Sequence, residues 1–229
     1  MAFRLQRQIL TAFAAAPATE EHDPNLYILD LENTLDLSMW AASLSDGSIS
    51  IMDGTFRPVC APIRHHTDRV NAIATSPASN SVVFSASSDR TVCIWDARTA
   101  AAGPQGVLTL PGEVSAVAVG AGGNLLSTAH ETVLGFYDVR QLGAGPLGEY
   151  ADCHTDEITQ VKFHPAAGST MVISGAEDGL ICVYNTAVAA NEEAVVSIFN
   201  TECPTRRIGY FGPGGEGVCI TSQLTSLKI

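Results

Sequence analysis

The hydrophobic positions of this chain fall in short runs that are separated by polar turns. The clearest case is VVFSASSDRTVCIWD at residues 82–96, where two apolar runs flank the polar turn Ser88-Asp89-Arg90. Runs of this length with alternating, β-branched and aromatic residues predict strands, and the short polar turn between them predicts a β-hairpin.

The same hairpin pattern recurs along the chain. The further copies are ASLSDGSISIMD at residues 42–53, STAHETVLGFYD at 127–138 and SGAEDGLICVYN at 174–185. Their acidic turn residues, Asp46, Asp89, Glu131 and Asp178, are 43, 42 and 47 positions apart. A repeat length in the forties is typical of four-stranded propeller blades.

Two of the copies share a set of four polar or aromatic residues. His66, Ser85, Asp89 and Trp95 recur as His154, Ser174, Asp178 and Tyr184, and the flanking segments HTDRVNAIATSP and HTDEITQVKFHP repeat as well. With these residues the chain resembles the WD-repeat β-propeller family. The resemblance implies that the four side chains of each copy form a hydrogen-bonded chain, which an indole donor, a hydroxyl, an imidazole and a carboxylate can sustain.

The other two copies depart from this set. Ala42 and Met52 stand at the serine and tryptophan positions of the first copy, and Leu110 stands at the histidine position of the third. We therefore expect these two blades to be held by packing alone.

The expected fold class is all-β: an incomplete WD-repeat β-propeller of about four blades plus part of a fifth, forming a single domain over residues 1–229. The expected blades cover approximately residues 26–65, 66–112, 113–153, 154–202 and, in part, 203–229. The last one stops inside its third strand, which indicates a truncated product or missing blades supplied by another chain. Residues 1–13 are interpreted as an outer strand of the missing last blade, with an N-terminal targeting peptide as the alternative.

Within the family, residues 148–185, with NEEAVVSIFN and RRIGYFG after them, are similar to the group named WD repeat-containing protein 89. Members of that group are longer and carry further repeats. The resemblance implies a non-catalytic scaffold for protein-protein interactions in a larger complex, and it names no substrate.

Composition narrows the class of partner. The formal net charge is −12 and the only lysines are Lys162 and Lys228, so the chain lacks the clustered cations that direct nucleic-acid binding needs. The expected partners are other proteins, and the charge favours basic ones, such as ribosomal or chromatin proteins, as a further hypothesis. The six cysteines form no CxxC pair, which indicates a reducing intracellular compartment, cytoplasmic or nuclear, and no membrane span is expected.

Three patterns invite a catalytic or cofactor interpretation. The repeated His, Ser and Asp residues are those of hydrolase triads, GPGGEG at residues 212–217 looks like a phosphate loop, and His65 beside His66 looks like part of a metal site. Duplication at the repeat length favours a structural role for the triad residues. The glycine-rich stretch lacks the strand-to-helix context and the lysine of a phosphate loop, and the histidine pair lacks a third ligand. We expect no enzyme, no metal and no cofactor, and keep a propeller hydrolase or metal-dependent enzyme as the alternative.

The remaining candidates for function are exposed loops beside the repeated histidines. They contain Thr67, Asp68 and Arg69 in one copy and Thr155, Asp156 and Glu157 in the other. In WD-repeat propellers, partners commonly dock on the loops around the central opening, so the resemblance marks these residues as partner-facing. The alternative is that Asp68 and Asp156 only cap their own turns.

Overall fold

A computed structural model describes residues 27–34, 36–166, 168–188, 191–212 and 214–222. These residues form four antiparallel sheets of four strands and one sheet of two strands. The strand expected at residues 1–13 lies outside the described residues, and so does the end of the fifth blade after residue 222.

The sheets follow one another in chain order. The first sheet contains β1 (Ile28–Asn33), β2 (Met39–Leu44), β3 (Ser48–Asp53) and β4 (Ile63–Arg64). The second contains β5 (Val70–Thr75), β6 (Val82–Ser87), β7 (Thr91–Asp96) and β8 (Gly106–Thr109). The third contains β9 (Val114–Gly120), β10 (Leu125–His130), β11 (Val133–Asp138) and β12 (Gly148–Tyr150). The fourth contains β13 (Ile158–Phe163), β14 (Met171–Ala176), β15 (Leu180–Asn185) and β16 (Val195–Asn200), and the fifth β17 (Thr205–Phe211) and β18 (Gly217–Ser222).

Each sheet is a meander whose first strand lies innermost. β1, β5, β9, β13 and β17 contact one another in that order, so they line a common axis and the later strands of each sheet extend outward. Short turns between antiparallel neighbours produce this arrangement directly. The all-β architecture predicted from the hairpins is confirmed.

The core lies between neighbouring sheets. Trp95 is buried in a cluster that joins the first two sheets, Phe84 in one that joins the second and third, and Tyr184 in one that joins the third and fourth. The middle strands of the second, third and fourth sheets are apolar on both faces because each of these sheets packs against a neighbour on each side. Among the described residues, no helix is long and apolar enough to cross a membrane.

Local structure differs from the pattern of apolar residues in two places. The segment RPVCAPI at residues 57–63 is predicted as the outer strand of the first blade, but it pairs with β3 only at β4 and at an isolated bridge between Met52 and Pro58. Pro58 and Pro62 lack the N–H that a longer ladder would need. The segment from Ala187 to Glu193 is short and lies between strand patterns, which predicts a loop, but the structure has one short helix, α1 (Asn191–Ala194), directly before β16.

Candidate functional site

The first His-Ser-Asp set forms a continuous hydrogen-bonded chain. The indole Nε1 of Trp95 donates to Ser85 Oγ over 2.8 Å, and Ser85 Oγ lies 2.7 Å from His66 Nε2. His66 Nδ1 is 2.8 Å from Asp89 Oδ2, which also accepts from the backbone N–H of Thr67. Since the indole can only donate, the serine hydroxyl donates to Nε2, and Nδ1 carries the proton that is shared with Asp89.

The second set repeats the arrangement with a tyrosine in place of the tryptophan. Ser174 Oγ lies 2.6 Å from His154 Nε2 and 3.1 Å from the hydroxyl of Tyr184. His154 Nδ1 is 3.2 Å from Asp178 Oδ2, and the backbone N–H of Thr155 donates to the same oxygen over 2.9 Å. The structure therefore brings together all eight residues that the repeat singles out, in two separate groups of four.

Turn geometry places the aspartates. Asp89 and Asp178 each accept a hydrogen bond from the backbone N–H two residues further on, so the carboxylate closes its own turn and still reaches the histidine. The residue between each aspartate and this N–H has a positive φ, which is 69° at Arg90 and 77° at Gly179. Burial alone would raise the pKa of the Asp89 carboxyl. Hydrogen bonds from Thr91 and His66 outweigh this effect and hold that pKa below its usual range.

The third copy keeps part of the set in an altered form. Strand register places Thr128 at the position of Ser85 and Tyr137 at that of Trp95, while Leu110 is buried in the core where a histidine stands elsewhere. The turn between β10 and β11 is one residue shorter than the turn between β6 and β7, and Glu131 has the positive φ, 51°. Glu131 is therefore the counterpart of Arg90 in backbone conformation, whereas the sequence pattern had aligned it with Asp89. The shorter turn also accounts for the spacing of 42 positions between Asp89 and Glu131.

The two serines occupy positions that no substrate reaches. Ser85 and Ser174 are fully buried, and each hydroxyl is bonded to its histidine and its aromatic partner. A nucleophile needs an open approach for the reacting carbonyl. Burial also raises the pKa of the neighbouring Cys93 and Cys182 thiols to about 11, so neither thiol is activated.

The loops that follow the two histidines are fixed in backbone and exposed in side chain. Asp68 Oδ1 accepts from the N–H of Arg69 over 2.7 Å, and Asp156 Oδ1 accepts from the N–H of Glu157 over 2.8 Å. All six candidate loop side chains are exposed: Thr67, Asp68, Arg69, Thr155, Asp156 and Glu157.

A polar channel runs along the axis between the inner strands, and sequence reasoning missed it. Its cavity of about 340 Å³ is lined from all five sheets. Asp30, only 4% exposed, accepts from the backbone N–H of Ile73 over 2.9 Å and pairs with Arg207. Lys162 pairs with Glu32. The sequence signal for this channel is the presence of charged residues within the otherwise apolar first strand of a sheet, as in ILDLEN and ITQVKF.

Charged side chains of both signs line the channel next to the second loop, where Arg206 pairs with Glu177 over 3.5 Å. Burial, followed by the negative charge of Glu177, raises the pKa of the Glu157 carboxyl, and Glu113 and Asp156 add to the shift against the opposing charge of Arg69.

The remaining chemical candidates occupy ordinary structural positions. The described residues of GPGGEG before β18 lie in the turn that follows β17, where the N–H of Gly215 donates to the carbonyl of Gly212 and both glycines have a positive φ. His65 is exposed and stands edge-on to Trp95. Within the described residues, no group of three His, Cys, Asp or Glu side chains is placed to hold a metal ion.

The second network is expected to make stability depend on pH. Burial lowers the pKa of His154 below 6.5, and the charge of Asp178 only partly opposes this shift. The imidazole of His154 therefore binds a proton more tightly in the unfolded chain than in the folded one. The stability that neutral His154 contributes is complete above about pH 6.5 and is lost as the pH falls below that value. We expect His154→Gln to reduce the change in urea midpoint between about pH 7.5 and about pH 5.5. The exposed His65→Gln is the control, and an unchanged pH dependence in His154→Gln would contradict the assignment.

The repeats and the relatives agree with this architecture. The family model of the WD domain, G-beta repeat, matches residues 57–96 and 146–185, which contain the two networks. The chain is 31% identical over 191 residues to a WD repeat-containing protein 89 homolog of Dictyostelium discoideum, covering 83% of this chain and 50% of that protein. It is 27% identical to WD repeat-containing protein GTS1 of Arabidopsis thaliana, covering 89% of this chain and 52% of the relative. The chain thus spans about half the length of these curated relatives.

A solved structure supports the fold independently of close sequence similarity. A chain in a crystal structure of the mitotic checkpoint complex superposes with a TM-score of 0.74 at 20% identity, covering 90% of this chain and 60% of that one. The sheet order, the two hydrogen-bonded sets and these relatives lead to one assignment. The chain belongs to the WD-repeat β-propeller family.

Proposed function

We propose that this protein is a non-catalytic scaffold that binds other proteins through the loop face containing residues 67–69 and 155–157. The observation that carries the proposal is the coupling of each network to its loop. Asp89 and Asp178 each bond a buried histidine and the backbone of the following threonine, so the loop is fixed while its side chains face solvent. Rigidly positioned exposed loops are where binding residues concentrate, because little ordering entropy is lost on docking.

A basic segment is the partner chemistry that the surroundings of Glu157 favour. Glu113, Asp156 and Glu177 raise the pKa of Glu157 against the opposing charge of Arg69, and a lysine or arginine side chain of a partner would relieve that repulsion. This hypothesis covers the basic tails of ribosomal or chromatin proteins, and it predicts binding that weakens as salt concentration rises.

The ends of the sheet array support a larger assembly. Val196 and Ile198 on β16 and Val218 and Ile220 on β18 are exposed, and β18 pairs only with β17 among the described strands. Apolar sheet surface of this kind is usually covered. We propose that further blades, from a longer product or from another chain, pack there. The six unpaired cysteines support a reducing compartment for that assembly.

The proposed loop face can be tested by comparative affinity capture. We expect a variant with Thr67, Asp68 and Arg69 changed to alanine to lose a defined set of co-purifying proteins, measured by quantitative mass spectrometry, with its thermal stability preserved. A matched variant on the opposite face, Arg140→Ala with Gln141→Ala, is expected to keep that set. Equal capture of this set by the parent and by both variants would refute the proposed loop face. Capture that does not weaken as the salt concentration rises would refute the basic partner.

The enzymatic alternative predicts a different response to serine substitution. We expect Ser85→Ala with Ser174→Ala to lower the free energy of unfolding by about 0.5 to 1.5 kcal/mol at each site, because each removes a buried hydrogen-bonding group. A thermal melt measures this loss. Serine-dependent turnover in a broad esterase and peptidase screen, with folding intact, would overturn the scaffold.

A further inference from the structure

Neighbouring inner strands are joined by a side-chain oxygen at one repeated position. Asp30 on β1 accepts from the backbone N–H of Ile73 on β5 over 2.9 Å, and Gln160 on β13 accepts from the N–H of Ile208 on β17 over 2.6 Å. Asp30 and Gln160 are counterparts, because each is the first residue to pair after the register shift near the start of its strand. In both junctions, an N–H that points away from its own sheet is bonded by the preceding sheet.

The same position is alanine in the two junctions between them. Ala72 on β5 and Ala116 on β9 directly follow the register shift of their strands, and a methyl group accepts no hydrogen bond. The N–H groups that correspond to that of Ile73 belong to Val117 and Val161, which also come one residue after the repeated position. Ala72 packs with Val117 in one core cluster, and Ala116 packs with Val161 in another. Within the described part of the chain, these two N–H groups therefore lack the side-chain acceptor that their counterparts have.

These two N–H groups face the cavity of the channel. Its walls include Ala72, Ala116, Val117 and Val161, so the alanines leave open the space that a longer side chain occupies at the other two junctions. The volume of about 340 Å³ lies at the lower end of the range for small-molecule sites. Such sites combine apolar walls with a few placed polar groups, among them backbone N–H groups.

The cavity is more positive than the chain as a whole. Its lining contains four cationic side chains and three carboxylates, whereas the formal net charge of the chain is −12. The cations are Arg69, Lys162, Arg206 and Arg207, and the carboxylates are Asp30, Glu157 and Glu177. The Nε of Arg69 donates to the hydroxyl of Ser88 rather than to a carboxylate. The backbone donors and the surplus of cations together favour an anionic ligand with oxygen acceptors.

We propose that the channel binds a small organic dicarboxylate, whose two carboxylates accept from the N–H groups of Val117 and Val161 as Asp30 and Gln160 accept from their counterparts. Two donors at neighbouring junctions define the two ends of the ligand, and a hydrogen bond to an ionised oxygen is roughly twice as strong as one between neutral groups. The site uses the inner strands, so it goes beyond the protein-binding loop face and does not depend on it.

Amide NMR of the full chain with isotope-labelled valine and isoleucine tests the contact directly. The probes are succinate, glutarate and adipate, which differ only in the number of methylene groups between the carboxylates. We expect at least one of them to move the amide resonances of Val117 and Val161 saturably. The resonances of Ile73 and Ile208 should move less, because their N–H groups already have acceptors. Succinamide, the neutral analogue of succinate, is expected to leave all four resonances unchanged.

Variants that supply the missing acceptor test the assignment from the other side. Ala72→Gln and Ala116→Gln copy Gln160 onto the two junctions, so an internal carbonyl competes for the N–H. Each is expected to weaken the bound acid at least about tenfold, equivalent to about 1.4 kcal/mol. Ala101→Gln, in an exposed turn between β7 and β8, is the matched control and is expected to bind like the parent. If one channel variant fails to fold, the other decides, and if both fail, the NMR titration of the parent decides.

Three results would each overturn the proposal: no saturable shift with any of the three acids, equal binding by the parent and both channel variants, or equal binding of succinamide. The capped dipeptide acetyl-Asp-Asp-amide separates a free acid from an acidic peptide segment. We expect it to bind more weakly than the best free acid, and tighter binding of the dipeptide than of every free acid would overturn the assignment to a small molecule.

Discussion

Replacing Trp95 with alanine is expected to lower the free energy of unfolding by about 3 to 5 kcal/mol, the usual cost of truncating a buried aromatic residue. Trp95 is fully buried and packs with Ile51, Ile73 and other residues of the cluster that joins the first two sheets. The substitution also removes the indole donor to Ser85. Urea unfolding followed by circular dichroism measures the loss.

Two controls separate the packing from the hydrogen bond. Trp95→Phe keeps most of the ring but removes the indole N–H, so it should cost less, with about 0.5 to 1.5 kcal/mol from the lost bond. Trp40→Ala removes a half-buried indole from the same sheet pair and should also cost less than Trp95→Ala. Equal losses for the two alanine variants would show that Trp95 is not central to the junction.

The hairpins and the two networks could be predicted because their signals are local and repeated. Alternating apolar residues around Asp89 and Asp178 predict the strands, and duplication of the histidine, serine and aromatic positions favours a structural set over a catalytic one. Both sets are within hydrogen-bonding distance in the structure. The third copy was harder to interpret, since removing one turn residue shifts Glu131 without interrupting the pattern of apolar residues.

The channel and the stacking of Tyr150 on Tyr184 could not be predicted in the same way. Asp30 and Arg207 are 177 positions apart, so only the arrangement of the sheets around their axis brings them together. Tyr150 and Tyr184 belong to different sheets, and their stacking depends on how the third sheet packs against the fourth. Both features result from the packing of one repeat against another.

Replacing Asp30 with alanine is expected to lower the free energy of unfolding by about 1.5 to 3 kcal/mol, the range for a hydrogen bond to a charged group. Asp30 is buried on β1, where one carboxylate oxygen accepts from the N–H of Ile73 and the other from Arg207. Its loss leaves the buried N–H of Ile73 without that acceptor and removes one of two contacts of Arg207 with the first sheet, the other being its hydrogen bond to the carbonyl of Leu29 over 2.9 Å. Thermal and urea unfolding of the full chain measure the effect.

A double-mutant cycle assigns that loss to the contact across the channel. Arg207→Ala should cost less than Asp30→Ala, because the arginine side chain is 49% exposed and Ile73 keeps its acceptor. The double variant should be less destabilised than the sum of the single ones, with a coupling of about 0.5 kcal/mol or more. Asp30→Asn, which retains an oxygen for Ile73, should fall between the parent and Asp30→Ala. Strict additivity would mean that the first and fifth repeats are not joined through this pair.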